Sequence, residues 1–332
     1  MVLLLTNDDV AAAVAGVDTL AALVPVIEGA LSDMADDTGR RMPVATPSSP
    51  TDPLVVSVMG LNPSARTAGG RLHLVGRPAR PGGRRHSAYK VVFDLDTMNL
   101  VGMLEDAPVH SAMLAARVAV ATSRLARHDT TTVAVLGSGR MAAASLRGVL
   151  HARPVTKVTV YSPDHTHRND FAQRTSAELD IEVLAVDSAR AAVEQADIVT
   201  CATNTHFRDR ANVLTASWLR PGCHVNTIAR SELDAHTYQH ARVFPPAWAE
   251  LLAIEPEWDG LRALVDAGWV GADGDLAGVV RGKKRGRSSD EELTVYVGPS
   301  TGPEHAAVGR WVIETAKSKG IGTEWDQDSA SG

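Results

Sequence analysis

Cysteine is scarce in this sequence: among 332 residues only Cys201 and Cys223 carry a thiol. Two thiols without metal-site spacing exclude a disulfide framework and a cysteine-based zinc centre, and they read as small buried hydrophobes in strands. Long apolar runs are missing as well. Nothing approaches the roughly 20 residues that a helix needs to span a bilayer. The N-terminal "MVLLLTNDDVAAAV" has no basic leader, and Asp8 and Asp9 interrupt its apolar start, which argues against an export signal. Positive charge is not in excess either. Lys and Arg total 33 against 39 Asp and Glu, a net charge of −6, so nothing pulls the chain toward nucleic acid or an anionic membrane. The expectation is a cytoplasmic globular protein with no metal, nucleic-acid or membrane partner. With 44% hydrophobic and 22% charged residues, the chain is long enough for about two domains.

What is present changes rhythm along the chain. Residues 8–35 have helical spacing, with Asn7 and Asp8 as candidate caps. Between Met42 and Leu100, short β-rich runs ("PLVVSVMGL", "GRLHLVG", "AYKVVFDLD") are separated by Pro, Gly and Ser, as in an antiparallel sheet. The basic loop "GRPARPGGRRHS" between two of them reads as a solvated hairpin connection. "AMLAARVAVATSRLAR", 112–127, is apolar nearly all round, as a buried helix is. Beyond it strands and helices alternate, from "TTVAVLGS" and "GRMAAASLRGVLHA" through "DIVTCATN" and "CHVNTIA", the pattern of βαβ units in a parallel sheet. A strand "ELTVYVG" then leads into a last helix that Gly320 terminates, and the tail "TEWDQDSASG" reads as polar and frayed.

The stretch "VAVLGSGRMAAASL" carries the chemistry. Gly137, Gly139 and Ala142 fit G-x-G-x-x-[G/A] directly between a strand and a helix. Gly137 allows the tight turn, Gly139 lets backbone N–H groups approach a pyrophosphate, and Ala142 lets the helix pack on the strand. Ser138, Arg140 and Met141 complete the loop at the positive end of that helix. The next strand, "VTVYSPDH", offers Ser162 and, two positions beyond the usual acidic site, Asp164; the nearest arginine is Arg168. NAD and NADP both stay open, with Asp164 tilting toward NAD. Ala202, Thr203 and Asn204 after one strand, and Thr227 and Ile228 at the end of another, occupy the carboxyl edge where cofactors lie in open α/β sheets.

These residues resemble the ornithine cyclodeaminase and mu-crystallin family of NAD(P)-dependent proteins. The similarity runs through "LAARVAVATSRLA" (114–126), "GSGRMA" (137–142), "CATNTHFRDRANVL" (201–214) and "RPGCHVNTIA" (220–229). It continues in "GVVRGKKRGRSSDEELTVYVGPSTG" (278–302), which contains the family's GRxSDxEIT pattern, and in "KGIG" (319–322). The resemblance implies an α/β fold: a Rossmann-type doubly wound parallel sheet over 118–304, with a smaller α+β substrate and dimerisation domain from 1–117 and 305–332. It also implies a homodimer and a small amino- or imino-acid substrate. By the same resemblance, Arg117 and either Arg40 or Arg41 hold the substrate carboxylate, a task suited to the guanidinium fork.

Departures from the family pattern bear on the reaction. Arg71 replaces a substrate-contacting lysine, and arginine orients charge but is a poor acid or base. Arg230 stands near the place of a cyclodeaminase aspartate in a shortened segment. His305, near a second replaced aspartate, is either an acid–base group or a helix-entry residue. With Arg84 and Arg85, these arginines point to a substrate more anionic than ornithine. Three functions stay open: an oxidoreductase acting on the C–N bond of an α-amino or α-imino acid, an ornithine or lysine cyclodeaminase, and a non-catalytic dinucleotide- and ligand-binding dimer.

Overall fold

The computed structural model describes residues 1–36, 54–75, 86–203, 213–228, 232–254 and 260–326. The chain divides into two compact units, Met1–Met113 with Ser300–Gly332, and Leu114–Pro299. The sequence places these boundaries a few residues later, at 117/118 and 304/305. In chain order the first unit contributes β1 (Val2–Leu5), α1 (Asn7–Val14), α2 (Thr19–Ala35), β2 (Leu54–Asn62), β3 (Thr67–Val75), β4 (His86–Asp94), β5 (Leu100–Glu105) and the start of α3 (Ala107–Leu125). The second unit holds β6 (Thr132–Leu136), α4 (Arg140–Ala152), β7 (Lys157–Tyr161), α5 (His165–Leu179), β8 (Val183–Ala185), α6 (Ala189–Val193), β9 (Ile198–Cys201) and β10 (His224–Thr227). It continues with α7 (Ala235–Gln239), β11 (Arg242–Phe244), α8 (Trp248–Ile254), α9 (Leu261–Asp266), α10 (Leu276–Val280) and β12 (Thr294–Val297). The chain then returns to the first unit with α11 (Gly302–Ser318) and β13 (Thr323–Trp325).

The first unit is a six-stranded mixed sheet in the order β13-β1-β5-β4-β3-β2. Only β1 and β5 pair in parallel; β2 through β5 form an antiparallel meander, as the alternating runs require. The helical spacing over 8–35 belongs to two helices, α1 and α2. Thr6, not Asn7 or Asp8, caps α1 through a reciprocal capping box with Asp9, and Asp18 caps α2 by accepting from Ala21 N. The C-terminal tail is also corrected: Thr323–Trp325 pairs antiparallel with β1, because the turn beyond Gly320, which takes the left-handed conformation that ends α11, returns the chain to the sheet edge. Residues 327–332 of that tail lie outside the described residues.

The second unit is a seven-stranded parallel sheet in the order β11-β12-β10-β9-β6-β7-β8. Strands β9, β10 and β12 are buried along their whole length, as strands of a parallel sheet covered on both faces are. Both cysteines are free and buried, Cys201 ending β9 and Cys223 just ahead of β10. The GRxSDxEIT segment turns out to be a structural tie. Arg287 donates from Nε to the Leu125 carbonyl at 2.8 Å, and through its terminal nitrogens to Ser289 O, Cys223 O and Thr294 Oγ1. One guanidinium thereby satisfies carbonyls at the end of α3, ahead of β10 and in the loop before β12. No single helix among the described residues is long and apolar enough to cross a membrane.

Candidate functional site

The strand order of the second unit reverses between β6 and β9, and outside the carboxyl ends of the strands at such a switch point open α/β sheets bind their ligands. Gly137 makes the turn there. Its φ of +118° is open to glycine, and a Cβ would stand 2.4 Å from the Ala202 carbonyl oxygen. Gly139 is the N-cap residue of α4 and has no side-chain cap; nothing lies within 4 Å of where its Cβ would be. The N-terminus of this 13-residue helix therefore keeps uncapped N–H groups beside open space. That space is a cavity of about 760 Å³, lined by Gly137–Met141, by Tyr161–Asp164 and by Ala202 and Thr203. Its size falls in the range of cofactor sites. Ala142 is fully buried, packed as the small third position of the motif requires.

Nine of the expected cofactor residues line this cavity: Gly137, Ser138, Gly139, Arg140, Met141, Ser162, Asp164, Ala202 and Thr203. Ser138 donates to Ser162 at 2.9 Å, joining the glycine loop to the end of β7. Asp164 caps α5 by accepting from His167 N at 2.9 Å, which lowers its carboxyl from the ordinary value. Arg168 is buried, donating to Ser162 O and pairing with Asp187 at 2.5 Å. Thr227 and Ile228 are not among the lining residues; both bond to the Glu232 carboxylate, at 2.6 Å from Thr227 Oγ1 and 3.2 Å from Ile228 N. The same carboxylate accepts from Thr203 N at 2.7 Å, so Glu232 ties together the ends of β9 and β10. Its burial marks a position missed in the sequence, where "SELD" reads as an ordinary polar turn. Asn204, Arg230, Arg40 and Arg41 lie outside the described residues.

A second constellation belongs to the first unit. Arg71 on β3 and Lys90 on β4 are direct cross-strand partners, so both side chains stand on one face of the sheet. Both reach the carboxylate of Asp106, just ahead of α3: Lys90 at Oδ1 and Arg71 Nε at Oδ2, 2.6 Å away. His110, one turn along α3, places Nδ1 3.3 Å from the same Oδ2. Lys90 and Asp106 are essentially inaccessible to solvent. Burial alone would raise the Asp106 carboxyl, but Lys90, His110 and His305 outweigh it and hold it well below the usual carboxylate range. Burial lowers the Lys90 ammonium, Asp106 opposing and Arg71 adding to the effect. His305 on α11 is fully buried with Nε2 2.9 Å from Ser300 Oγ, and burial, then Lys90, keep it well below the ordinary histidine value.

Sequence reasoning found Arg71 and His305 here and missed Lys90, Asp106 and His110. The signal for Lys90 was its parity in "AYKVVFD": it shares a strand face with Val92, which is fully buried. Arg117 is placed in the second unit. Its terminal nitrogen donates to Gly298 O at 2.6 Å, Pro299 O at 2.5 Å and Tyr296 Oη at 3.1 Å, anchoring α3 to the end of β12. No group of His, Cys, Asp and Glu among the described residues is arranged to hold a metal.

Comparison with known proteins follows the same lines. The chain is 26% identical over 236 residues to a Delta(1)-pyrroline-2-carboxylate reductase of Bacillus cereus, covering 69% of this chain and 71% of that one. The Delta(1)-pyrroline-2-carboxylate reductase of Thermococcus litoralis, solved with NADH and L-proline, shares the fold with a TM-score of 0.85 at 23% identity, over 97% of this chain and all of that one. An archaeal alanine dehydrogenase dimer with bound NAD superposes with a TM-score of 0.83 at 19% identity, over 98% and 99% of the two chains. Residues 8–320 match the profile of the ornithine cyclodeaminase/mu-crystallin family from near one end to near the other, and the chain belongs to that family.

Proposed function

We propose that the chain is an NAD(P)-dependent reductase of the C=N bond of an α-imino acid, acting as a cytoplasmic homodimer. The observation that carries this is the pairing, in one chain of this family, of a glycine-turn cavity of dinucleotide size with a buried cationic cluster gathered on a single carboxylate. The cavity fits the cofactor: the turn at Gly137 and the open position at Gly139 are what a pyrophosphate at a helix N-terminus needs. Gly137–Met141 would hold the pyrophosphate, with Arg140 as the cation. Ser162 and Asp164 would meet the adenosine ribose. Asp164 at that edge, and the commitment of Arg168 to Asp187, favour NADH over NADPH.

A bound nicotinamide supplies the hydride for the imine carbon. The chain supplies orientation and charge. Arg71 is assigned to the substrate carboxylate; a guanidinium fork orients and polarises a carboxylate rather than moving protons. Asp106 Oδ2 lies 2.6 Å from Arg71 Nε, an ion pair that holds the guanidinium charge in place. The relative's substrate, pyrroline-2-carboxylate, is an α-imino carboxylate of the kind this arrangement suits. A cyclodeaminase needs a carboxylate beside the substrate amines, and the Asp106 carboxylate is already shared by Arg71, Lys90 and His110.

The homodimer rests on the outer face of the six-stranded sheet. Val55, Leu72, Leu74, Tyr89, Phe93 and Met103 are all at least 37% exposed there, a largely apolar face that suits a second copy of itself. The test of function is turnover. Purified protein, NADH or NADPH and Delta(1)-pyrroline-2-carboxylate should consume the reduced cofactor, faster with NADH. Ammonia release from ornithine without net cofactor change would establish the cyclodeaminase instead. Cofactor binding with no turnover in either assay would overturn both.

A further inference from the structure

The side chains of three bases converge on one carboxylate in the first unit. Asp106 gives Oδ1 to Lys90 and Oδ2 to both Arg71 and His110. The charged and titratable groups on every element packed around Lys90 can be named. Strand β3 brings Arg71 and His73, the start of α3 brings Asp106 and His110, and α11 brings His305. The remaining charges nearby are engaged elsewhere: Glu304 in the capping box of α11 with Thr301, Arg310 with Asp94 and Glu314, and Glu105 with Asn7 N. Lys90 itself has no solvent access, so a ligand does not touch it. Its ammonium is held against the pull of burial by Asp106, while Arg71, its neighbour across the ladder, repels it.

A carboxylate seated on Arg71 changes that balance in one direction. The new negative charge offsets the repulsion that Arg71 exerts on Lys90, so the ammonium form becomes easier to keep. Linkage then works in reverse with equal strength: whatever makes the proton bind more tightly is itself bound more tightly when the proton is present. Resting on the reductase reading above, we propose that Lys90 is a positioning residue that couples anion binding to protonation. It holds Asp106, and through it Arg71, in place for the substrate carboxylate, and its proton is retained more firmly in the liganded protein than in the free one.

The sign follows. Lys90 loses its proton in the free protein at a pH below its ordinary 10.5 and in the liganded protein at a higher one. Affinity for the anion is therefore constant at neutral pH and falls as pH rises through the free-protein value, by up to about tenfold per pH unit. His110 and His305 titrate on the acid side, so they do not enter this window.

The experiment uses the full chain with NAD bound and pyrrole-2-carboxylate as probe, because its ring nitrogen does not titrate in the range. Calorimetric titration from neutral pH to above pH 10, in two buffers of different ionisation enthalpy, reads both affinity and protons taken up. The wild type should weaken only on the alkaline side, with net proton uptake there. Lys90→Met should bind about tenfold less tightly at neutral pH and show no alkaline limb. Lys90→Arg should bind tightly and stay flat, since a guanidinium does not deprotonate; if it does not fold, the wild-type heats and Lys90→Met decide. A wild type with pH-independent affinity and no proton uptake overturns the proposal, as does a Lys90→Met protein that keeps affinity and limb alike. Loss of the linkage with cofactor oxidation intact sinks this proposal alone. Absence of cofactor oxidation with the linkage present sinks the reductase reading alone.

Discussion

Gly137 and Ala202 meet where the strand order of the parallel sheet reverses: the glycine's α-carbon faces the alanine carbonyl so closely that a Cβ would lie 2.4 Å from its oxygen. Gly139, two residues on, has no such neighbour. The two glycines of one motif therefore serve different ends, the first to let the sheet close and the second to leave room for a ligand.

Substituting them should separate those ends. Gly137→Ala combines a left-handed backbone with a backbone clash, strain of about 1–3 kcal/mol or more, and should lower Tm by several degrees as well as abolish cofactor binding. Gly139→Val should leave Tm near the wild type while NADH affinity falls by about tenfold or more, about 1.4 kcal/mol. Thermal unfolding and NADH fluorescence titration check both, and an unchanged affinity in Gly139→Val would remove the cofactor assignment.

Asp106 is the counter-charge for two buried cations, and removing it should cost more than removing either. Asp106→Asn leaves Lys90 and Arg71 facing one another across the ladder and should destabilise the protein by about 3–5 kcal/mol, the range for breaking a buried pair. Lys90→Met leaves Asp106 with Arg71 and His110 and should lie close to the wild type. Denaturant unfolding of the two variants gives the comparison; equal losses would contradict the shared-carboxylate account.

Acid should destabilise the fold through its buried histidines. Burial, with a further push from Arg287, takes His224 down to about 3, while Asn226 and Thr294 hold its ring at 3.2 and 3.0 Å. In the unfolded chain it takes up its proton near pH 6.5. Its contribution is thus complete above about pH 6.5 and is lost progressively as pH falls toward about 3, at up to about 1.4 kcal/mol per pH unit. His224→Asn should flatten the decline of stability over this window, measured by denaturant unfolding at stepped pH.

The outer sheet face should be where two copies meet. Leu74 is 47% exposed and stands opposite Val55 in the ladder. Leu74→Lys places a charge in the middle of that apolar face and should shift the protein from dimer to monomer in light scattering, with the secondary structure unchanged. A monomeric wild type would defeat the expectation outright.

The sequence by itself determined the local and periodic features. Short strands alternating with helices marked the parallel sheet, alternating β-rich runs marked the meander, and small residues at Gly137, Gly139 and Ala142 marked the cofactor turn, because backbone conformation and burial act on neighbouring residues. Tertiary structure decided what depends on distant residues meeting. The GRxSDxEIT segment is a family pattern in the sequence and a tie in the fold, since Arg287 reaches the Leu125 carbonyl, more than a hundred residues away on α3. Arg117 is directed to the end of β12. Lys90 reads as one more charge in a strand until β3, β4 and the start of α3 bring it with Arg71 onto Asp106. A lone charge has no meaning in sequence, because its energy depends on the charges and the dielectric that surround it, and only folding supplies those.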